Sequence, residues 1–236
     1  MGVLTLAFCL AKYEARNIGF KKCGKILKYE IMKDDPNKSG YEKIYDWVAS
    51  DLEGFDLVKN APYLKLTVAS TGEVIVPLLG RDYLVSNQGV RPADGQYANF
   101  NRLSLAAHYA MSMGRGEPSM DFVKLAVLSG VPVGTAGGSY DRNAMAGPIA
   151  KKYGSDFPGL EAAISRLGGR PVPHPVGVCW LVYALPLMPI KLIFQEADEE
   201  FEAEFTVLFD RSATNFMRFE AIGFLGGSLV DELVNK

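Results

Sequence analysis

The clearest pattern along the chain is a strict alternation of apolar and polar residues from position 199 onward. Successive side chains of a β-strand point to opposite faces of a sheet, so this period of two predicts a strand over residues 199–210 with one face buried. The predicted buried positions are Phe201, Ala203, Phe205, Val207 and Phe209. The predicted exposed positions are Glu200, Glu202, Glu204 and Thr206.

Apolar runs bounded by turn residues predict further strands at 176–184 and 190–195. Shorter runs on both sides of the Ser70-Thr71-Gly72 turn, and another at 83–85, predict a meander of hairpins. Apolar residues at helical spacing predict helices over 41–55, 101–113, 158–168 and 220–234, whereas the apolar segment 121–133 fits either a strand or a helix.

These elements indicate an α+β fold, in which helices pack on an antiparallel or mixed sheet built from hairpins. Residues 41–236 fit a single domain of this class, because strong patterns recur along the whole of this range. Residues 1–40 show no clear element, and we assign them to an N-terminal extension.

Composition excludes several classes of function. With a formal net charge of −2, the chain has no field that attracts nucleic acid or an anionic membrane. Its three cysteines are far apart, so they form neither a zinc knuckle nor an iron–sulfur site. Prolines interrupt the long uncharged stretch 171–190, which argues against a membrane helix, and no signal-peptide pattern is found. We therefore expect a cytoplasmic protein without nucleic-acid or membrane partners.

Acidic residues are concentrated between positions 196 and 210. Magnesium and calcium bind where several carboxylate oxygens converge on one point. The glutamates of the predicted strand instead stand in a row about 7 Å apart, which fits a solvated sheet face. Asp198 and Glu199 in the preceding turn, with Asp210 at the end of the strand, are therefore the candidate metal ligands.

A helical wheel of residues 101–115 places five polar residues on a single stripe. They are Asn101, Ser104, His108, Ser112 and Arg115. If the helix continues through Gly114, His108 and Arg115 lie about 10 Å apart along its axis. Such a pair offers an imidazole to a metal centre and a guanidinium to a peripheral carboxylate or phosphate. The alternative is a solvent-exposed helix face. His174, between two prolines, is the second candidate imidazole.

Several short motifs carry a resemblance to a known family. They are Leu185-Pro186-Leu187-Met188-Pro189, Asp198-Glu199-Glu200-Phe201, Leu208-Phe209-Asp210, Leu79-Gly80-Arg81-Asp82-Tyr83 and Ala107-His108-Tyr109. Over about residues 41–233 the chain resembles an uncharacterised family of domains of unknown function from anaerobic bacteria and archaea. Some members carry an iron–sulfur domain similar to that of corrinoid proteins. This chain lacks the cysteines for one, so the resemblance implies an iron–sulfur or corrinoid protein as partner.

Three hypotheses of function follow. The resemblance favours a non-catalytic binding or accessory protein in anaerobic corrinoid or iron–sulfur metabolism, with a corrinoid or other tetrapyrrole held by His108, Arg115 or His174. The second hypothesis is a metal-dependent hydrolase or lyase that uses Asp198, Glu199 and Asp210. The third is a protein–protein interaction module. The sequence contains no assembled catalytic motif that would favour the enzyme hypothesis over the other two.

Overall fold

The structure, a computed structural model, describes residues 37–130, 145–197 and 203–236. Two antiparallel sheets of four and five strands and eight helices lie within these ranges, which confirms the predicted α+β fold. The strands are β1 (Thr67–Val68), β2 (Val74–Leu78), β3 (Arg81–Ser86), β4 (Gly89–Pro92), β5 (Phe122–Val123), β6 (Arg170–Pro171), β7 (Val178–Leu185), β8 (Met188–Gln195) and β9 (Glu204–Asp210). The helices are α1 (Gly40–Leu52), α2 (Leu57–Asn60), α3 (Phe100–Ala110), α4 (Leu125–Leu128), α5 (Ala146–Tyr153), α6 (Phe157–Arg166), α7 (Ala213–Phe216) and α8 (Phe219–Asn235).

The first sheet is a meander in the order β1-β2-β3-β4, and the second has the order β5-β9-β8-β7-β6. The two sheets touch where the backbone N–H of Leu79 donates to the carbonyl of Ala184, at 2.9 Å. Tyr109 on α3 strengthens this junction: its hydroxyl donates to the carbonyl of Leu64 and accepts from the N–H of Leu187. The buried apolar residues of both sheets form one continuous cluster.

The strand predicted over 199–210 is present in part as β9, which begins at Glu204, one residue after Ala203. In β9, Phe205 and Phe209 are buried and Glu204 is exposed. This confirms the predicted faces for these three residues; Phe201, Glu200 and Glu202 lie outside the described residues. The segment 121–133, which fitted either class of element, contains the short strand β5 followed by the short helix α4.

The prediction of a strand from Leu64 to Val68 is only partly right. A 3-10 turn occupies Ala61–Leu64 and has Pro62 in its first turn, where a proline needs no N–H donor. Lys65 then adopts a left-handed conformation with φ of 55°, which breaks the alternation. Pairing therefore begins at Thr67, opposite Ile75 of β2.

The helix predicted over 101–113 ends earlier, at Ala110. Asn99 caps its beginning by accepting a hydrogen bond from the N–H of Arg102. At the other end the side-chain amide of Asn60 donates to the carbonyls of Ala110 and Ser112, at 3.0 and 2.9 Å. These carbonyls therefore accept hydrogen bonds from the Asn60 amide at the point where the helix ends. The helix does not continue through Gly114, so the condition for a two-turn spacing between His108 and Arg115 is not met.

The long helix α8 is tied to α3 by buried polar contacts. Arg102 and Glu232 form an ion pair whose side chains are 8% and 6% exposed, and Lys236 also contacts the Glu232 carboxylate. One turn along, Asn101 donates to the hydroxyl of Ser228. These contacts join α8 to α3.

Helix α1 packs against the β4 edge of the first sheet. The hydroxyl of Tyr45 accepts a hydrogen bond from the N–H of Val90 on β4 and donates to the carbonyl of the same residue, at 3.0 and 3.4 Å. In the ranges that the structure describes, no helix is long and apolar enough to cross a membrane. The boundary between an extension, 1–40, and a domain, 41–236, stays a prediction.

Candidate functional site

A small cleft lies where α1, α3 and the beginning of α8 meet. Its lining residues are Tyr41, Ile44, Trp47, Asn101, Ser104, Leu105, His108, Arg218, Glu220, Ala221 and Phe224. The free volume inside it is about 30 Å³, which is room for one or two water molecules. The interior of the cleft is therefore too small for a whole cofactor.

Helical spacing explains which side chains reach the cleft. Tyr41, Ile44 and Trp47 follow one another at intervals of three along α1, so they share a face. On α3, the residues that face them stand at positions 101, 104, 105 and 108, the spacing of one helical stripe. Tyr41 meets Phe224 of α8 edge-to-face, with ring centroids 6.0 Å apart, which closes one side of the cleft.

His108 is the titratable group at the centre of this arrangement. It is half-buried, and it forms no hydrogen bond with any residue that the structure describes. The pKa of its imidazole is lowered from 6.5 to about 4, mainly by burial and to a smaller extent by the positive charge of Arg218, while Asp51 opposes the shift. The ring is therefore neutral at pH 7, which is the form that binds metals and accepts protons.

Arg218 was not predicted as a site residue. It is the N-cap of α8, and its guanidinium carbon lies 5.9 Å from the centroid of the Trp47 ring. The only sequence signal for it was a basic residue just before the predicted helix at 220–234. Trp47 was missed because the pattern of α1 was used to predict the core face alone.

Arg115, predicted to share a site with His108, lies elsewhere. Its guanidinium stacks 4.0 Å above the ring of Tyr63 and donates to the carbonyl of Gly114 and to the side-chain oxygen of Asn60. A Cβ on Gly114 would meet the carbonyl of Asn215 at 2.4 Å, so the chain passes closely by α7 here instead of continuing α3. The two residues are thus not brought together, and a ligand role for Arg115 stays a prediction.

His174, the second candidate imidazole, is on the loop before β7. Its Nδ1 atom is 2.6 Å from the carbonyl oxygen of Val176, in the same loop. It does not line the His108 cleft. Its role as a ligand residue also stays a prediction.

Of the candidate metal ligands, Asp198 and Glu199 lie outside the described residues. Asp210 is fully buried at the end of β9. One of its oxygens accepts hydrogen bonds from the N–H and hydroxyl groups of Ser119 and Ser212, at 2.5 to 3.1 Å. The other accepts from the N–H of Met120, at 2.5 Å.

These five hydrogen bonds explain the burial of the Asp210 carboxylate. Burial raises its pKa, but the bonds from Ser212 and Ser119 outweigh that effect, and the pKa stays below its ordinary value. They also hold Met120 in a left-handed backbone conformation, with φ of 59°. Among the residues that the structure describes, no three histidines, cysteines or acids are grouped to hold a metal ion.

The fold and the cleft together define an α+β domain with a small aromatic-walled recess between three helices. The chain belongs to the family described as a domain of unknown function, DUF3786, whose model matches residues 56–232. This confirms the resemblance to an uncharacterised family. No curated protein and no solved structure matches the chain. His108 and Arg218 lie within the matched region, whereas the α1 wall of the cleft precedes it.

Proposed function

We propose that this protein is a non-catalytic binding or accessory protein that holds a tetrapyrrole, with a corrinoid as the first candidate, at the His108 cleft. The observation that carries the proposal is a neutral, half-buried imidazole without a hydrogen-bond partner in the described ranges, beside aromatic side chains. A neutral imidazole has a lone pair for the metal of such a cofactor.

The size of the cleft limits how the cofactor sits. A tetrapyrrole ring does not fit a free volume of about 30 Å³, so the proposal places the ring across the mouth of the cleft. Tyr41, which is 43% exposed, and Phe224 then supply apolar surface beside the ring.

The proposal includes a partner protein. The three cysteines of this sequence do not make an iron–sulfur site, so we place a cluster that would work with this protein on a partner. We therefore propose an iron–sulfur or corrinoid protein as that partner, which follows from the family resemblance.

The test is an absorbance titration of aquocobalamin, and separately of haem, against the wild type, His108→Gln and His174→Gln. We expect a saturable band shift at one equivalent with the wild type and with His174→Gln, and its loss in His108→Gln. Circular dichroism checks that each variant is folded. Equal binding by wild type and His108→Gln would remove this histidine from the site. No binding by the wild type would refute the tetrapyrrole proposal and favour the interaction module.

A further inference from the structure

We propose that the loop of residues 111–120 forms, together with Tyr63, a docking surface for a partner protein that presents an acidic group beside apolar side chains. The members of this docking surface are the exposed residues Tyr63, Met113, Arg115 and Met120. The inference rests on the proposed function only in taking this protein to have a protein partner. It depends neither on a tetrapyrrole nor on the His108 cleft.

The 111–120 loop is tied to the rest of the fold near both of its ends. At its start, the side-chain amide of Asn60 donates to the carbonyl of Ser112, at 2.9 Å. At its end, the buried carboxylate of Asp210 accepts hydrogen bonds from the N–H groups of Ser119 and Met120. A loop that is fixed in this way loses little conformational entropy when it binds a partner. Binding residues are often carried by loops that a rigid scaffold positions.

The loop is also compact, because both of its ends lie beside α7. Gly114 packs against the carbonyl of Asn215, and the N–H of Ser119 donates to the hydroxyl of Ser212 at 3.2 Å. A hydrogen bond of 2.8 Å from the N–H of Asn215 to the carbonyl of Ser212 joins these two contact points within one helical turn. Surface loops whose ends are this close are frequently functional.

The side chains that this loop holds in solvent are mainly apolar. Met113 and Met120 directly adjoin the two contact points with α7, and they are 70% and 48% exposed. Tyr63, on which Arg115 stacks, is 53% exposed. Methionine, tyrosine and arginine are the residue types enriched at protein–protein interfaces. Apolar side chains that are grouped on a fixed surface loop are typical of an interaction site.

Arg115 gives the docking surface its positive charge. In the part of the chain that the structure describes, it contacts the ring of Tyr63, the carbonyl of Gly114 and the side-chain oxygen of Asn60. All three groups are uncharged, so they fix the position of the guanidinium without cancelling its charge. The surface therefore offers a held cation beside apolar side chains.

The neighbouring charges occur in pairs of opposite sign. Lys65 and Glu117 form an ion pair at 2.6 Å, and Arg211 pairs with Asp121 just after the loop. The charge of Arg115 is thus the one left over, and it favours a partner with an acidic group. A second copy docked through the same surface would bring two such arginines into one interface, so the charge favours a different protein.

Site-specific photo-cross-linking tests where the partner binds. A benzophenone amino acid replaces Met113 or, as the control, Tyr97 in the whole chain, expressed in the cells from which the chain comes. Tyr97 lies between β4 and α3 and is 82% exposed, so it is the more accessible position. We expect an adduct with one other protein at position 113 and none at position 97. Equal adducts at both positions, an adduct between two copies of this chain, or no adduct at position 113 would overturn the inference.

The partner identified in this way is purified and titrated calorimetrically against variants of the docking surface. Met113→Ser and Met120→Asn remove exposed apolar side chains, and asparagine tolerates the left-handed backbone at position 120. We expect each change to weaken binding about tenfold or more, whereas Tyr97→Ser should leave it unchanged. Circular dichroism checks that every variant is folded. Affinities of both methionine variants equal to that of the wild type would contradict the inference.

Arg115→Glu tests the sign of the partner's charge. We expect this change to weaken binding about hundredfold, more than Arg115→Gln does, because it places like charges opposite each other. Replacing the contacting acidic residue of the partner by lysine should restore part of the affinity for Arg115→Glu and weaken binding to the wild type. A partner that binds Arg115→Glu as tightly as the wild type would overturn the inference.

The result is separable from the proposed function. Tetrapyrrole binding by the wild type, with cross-linking to a partner at position 97 and not at position 113, would overturn the docking surface and leave the proposed cofactor intact. Partner binding that needs Met113 and Arg115, with no tetrapyrrole binding by the wild type, would support the docking surface and refute the tetrapyrrole.

Discussion

Mild acid should destabilise this protein through His108. The pKa of its imidazole is about 4 in the folded chain, compared with 6.5 for an ordinary histidine. The unfolded chain therefore binds the proton more tightly, so the stability that the neutral ring contributes is fully present above pH 6.5 and is lost as the pH falls toward 4. The difference corresponds to about 3 kcal/mol of unfolding free energy, of which about 2 kcal/mol is lost between pH 7 and pH 5.

Urea unfolding at pH 7 and pH 5 measures this loss. We expect His108→Gln to lose about 2 kcal/mol less than the wild type between the two values, and His174→Gln to behave as the wild type does. Asp210 adds to acid sensitivity only at lower pH, because its pKa lies below the ordinary value for aspartate. An acid-dependent loss that is the same in His108→Gln as in the wild type would refute the reasoning.

Three further predictions concern stability, each measured as an unfolding free energy from denaturant melts at pH 7. Glu232→Ala leaves the buried guanidinium of Arg102 without its ion-pair partner and should cost about 3–5 kcal/mol. The double change Arg102→Met with Glu232→Leu should recover most of this loss. A loss below about 1 kcal/mol for Glu232→Ala would contradict a buried pair. Phe205→Ala should cost about 3–5 kcal/mol because of the cavity it leaves. Glu204 is exposed, so Glu204→Ala should change stability by less than about 0.5 kcal/mol. Similar losses for the two variants would show that the faces of β9 are wrongly assigned. Asp210→Asn replaces a carboxylate that accepts five hydrogen bonds with an amide, whose nitrogen can only donate. The change should cost about 2–3 kcal/mol. Unchanged stability would contradict this prediction.

Elements whose limits are set by nearby residues were predictable from the sequence. The faces of β9 follow from its own alternation, because one sheet face packs on the core and the other meets solvent. Helix α8 differs from its prediction by only one residue at each end. The end of α3 was not predictable, since it depends on Asn60, which is 50 residues away from Ala110.

The candidate site also combines a part that was predictable from nearby residues with parts that depend on residues far away along the chain. The stripe that contains Asn101, Ser104 and His108 follows from helical spacing, and all three do line the cleft. Its opposite walls come from α1 and from Arg218, which are distant along the chain, and no local period connects them. A helical wheel cannot show that the helix ends at Ala110, so it predicted Arg115 on the same stripe as His108. In the folded chain Arg115 stacks on Tyr63 instead.

The hydrogen bonds between Tyr45 and Val90 have a consequence for association. An edge strand offers backbone groups to which a strand of another chain can pair. The Tyr45 hydroxyl occupies both the N–H and the carbonyl of Val90, so a strand pairing there would first have to displace α1. Because α1 also carries Trp47 and one wall of the cleft, displacing α1 would also take this wall away from the cleft. A ligand that holds α1 in place would thereby also protect the protein from aggregation at this edge.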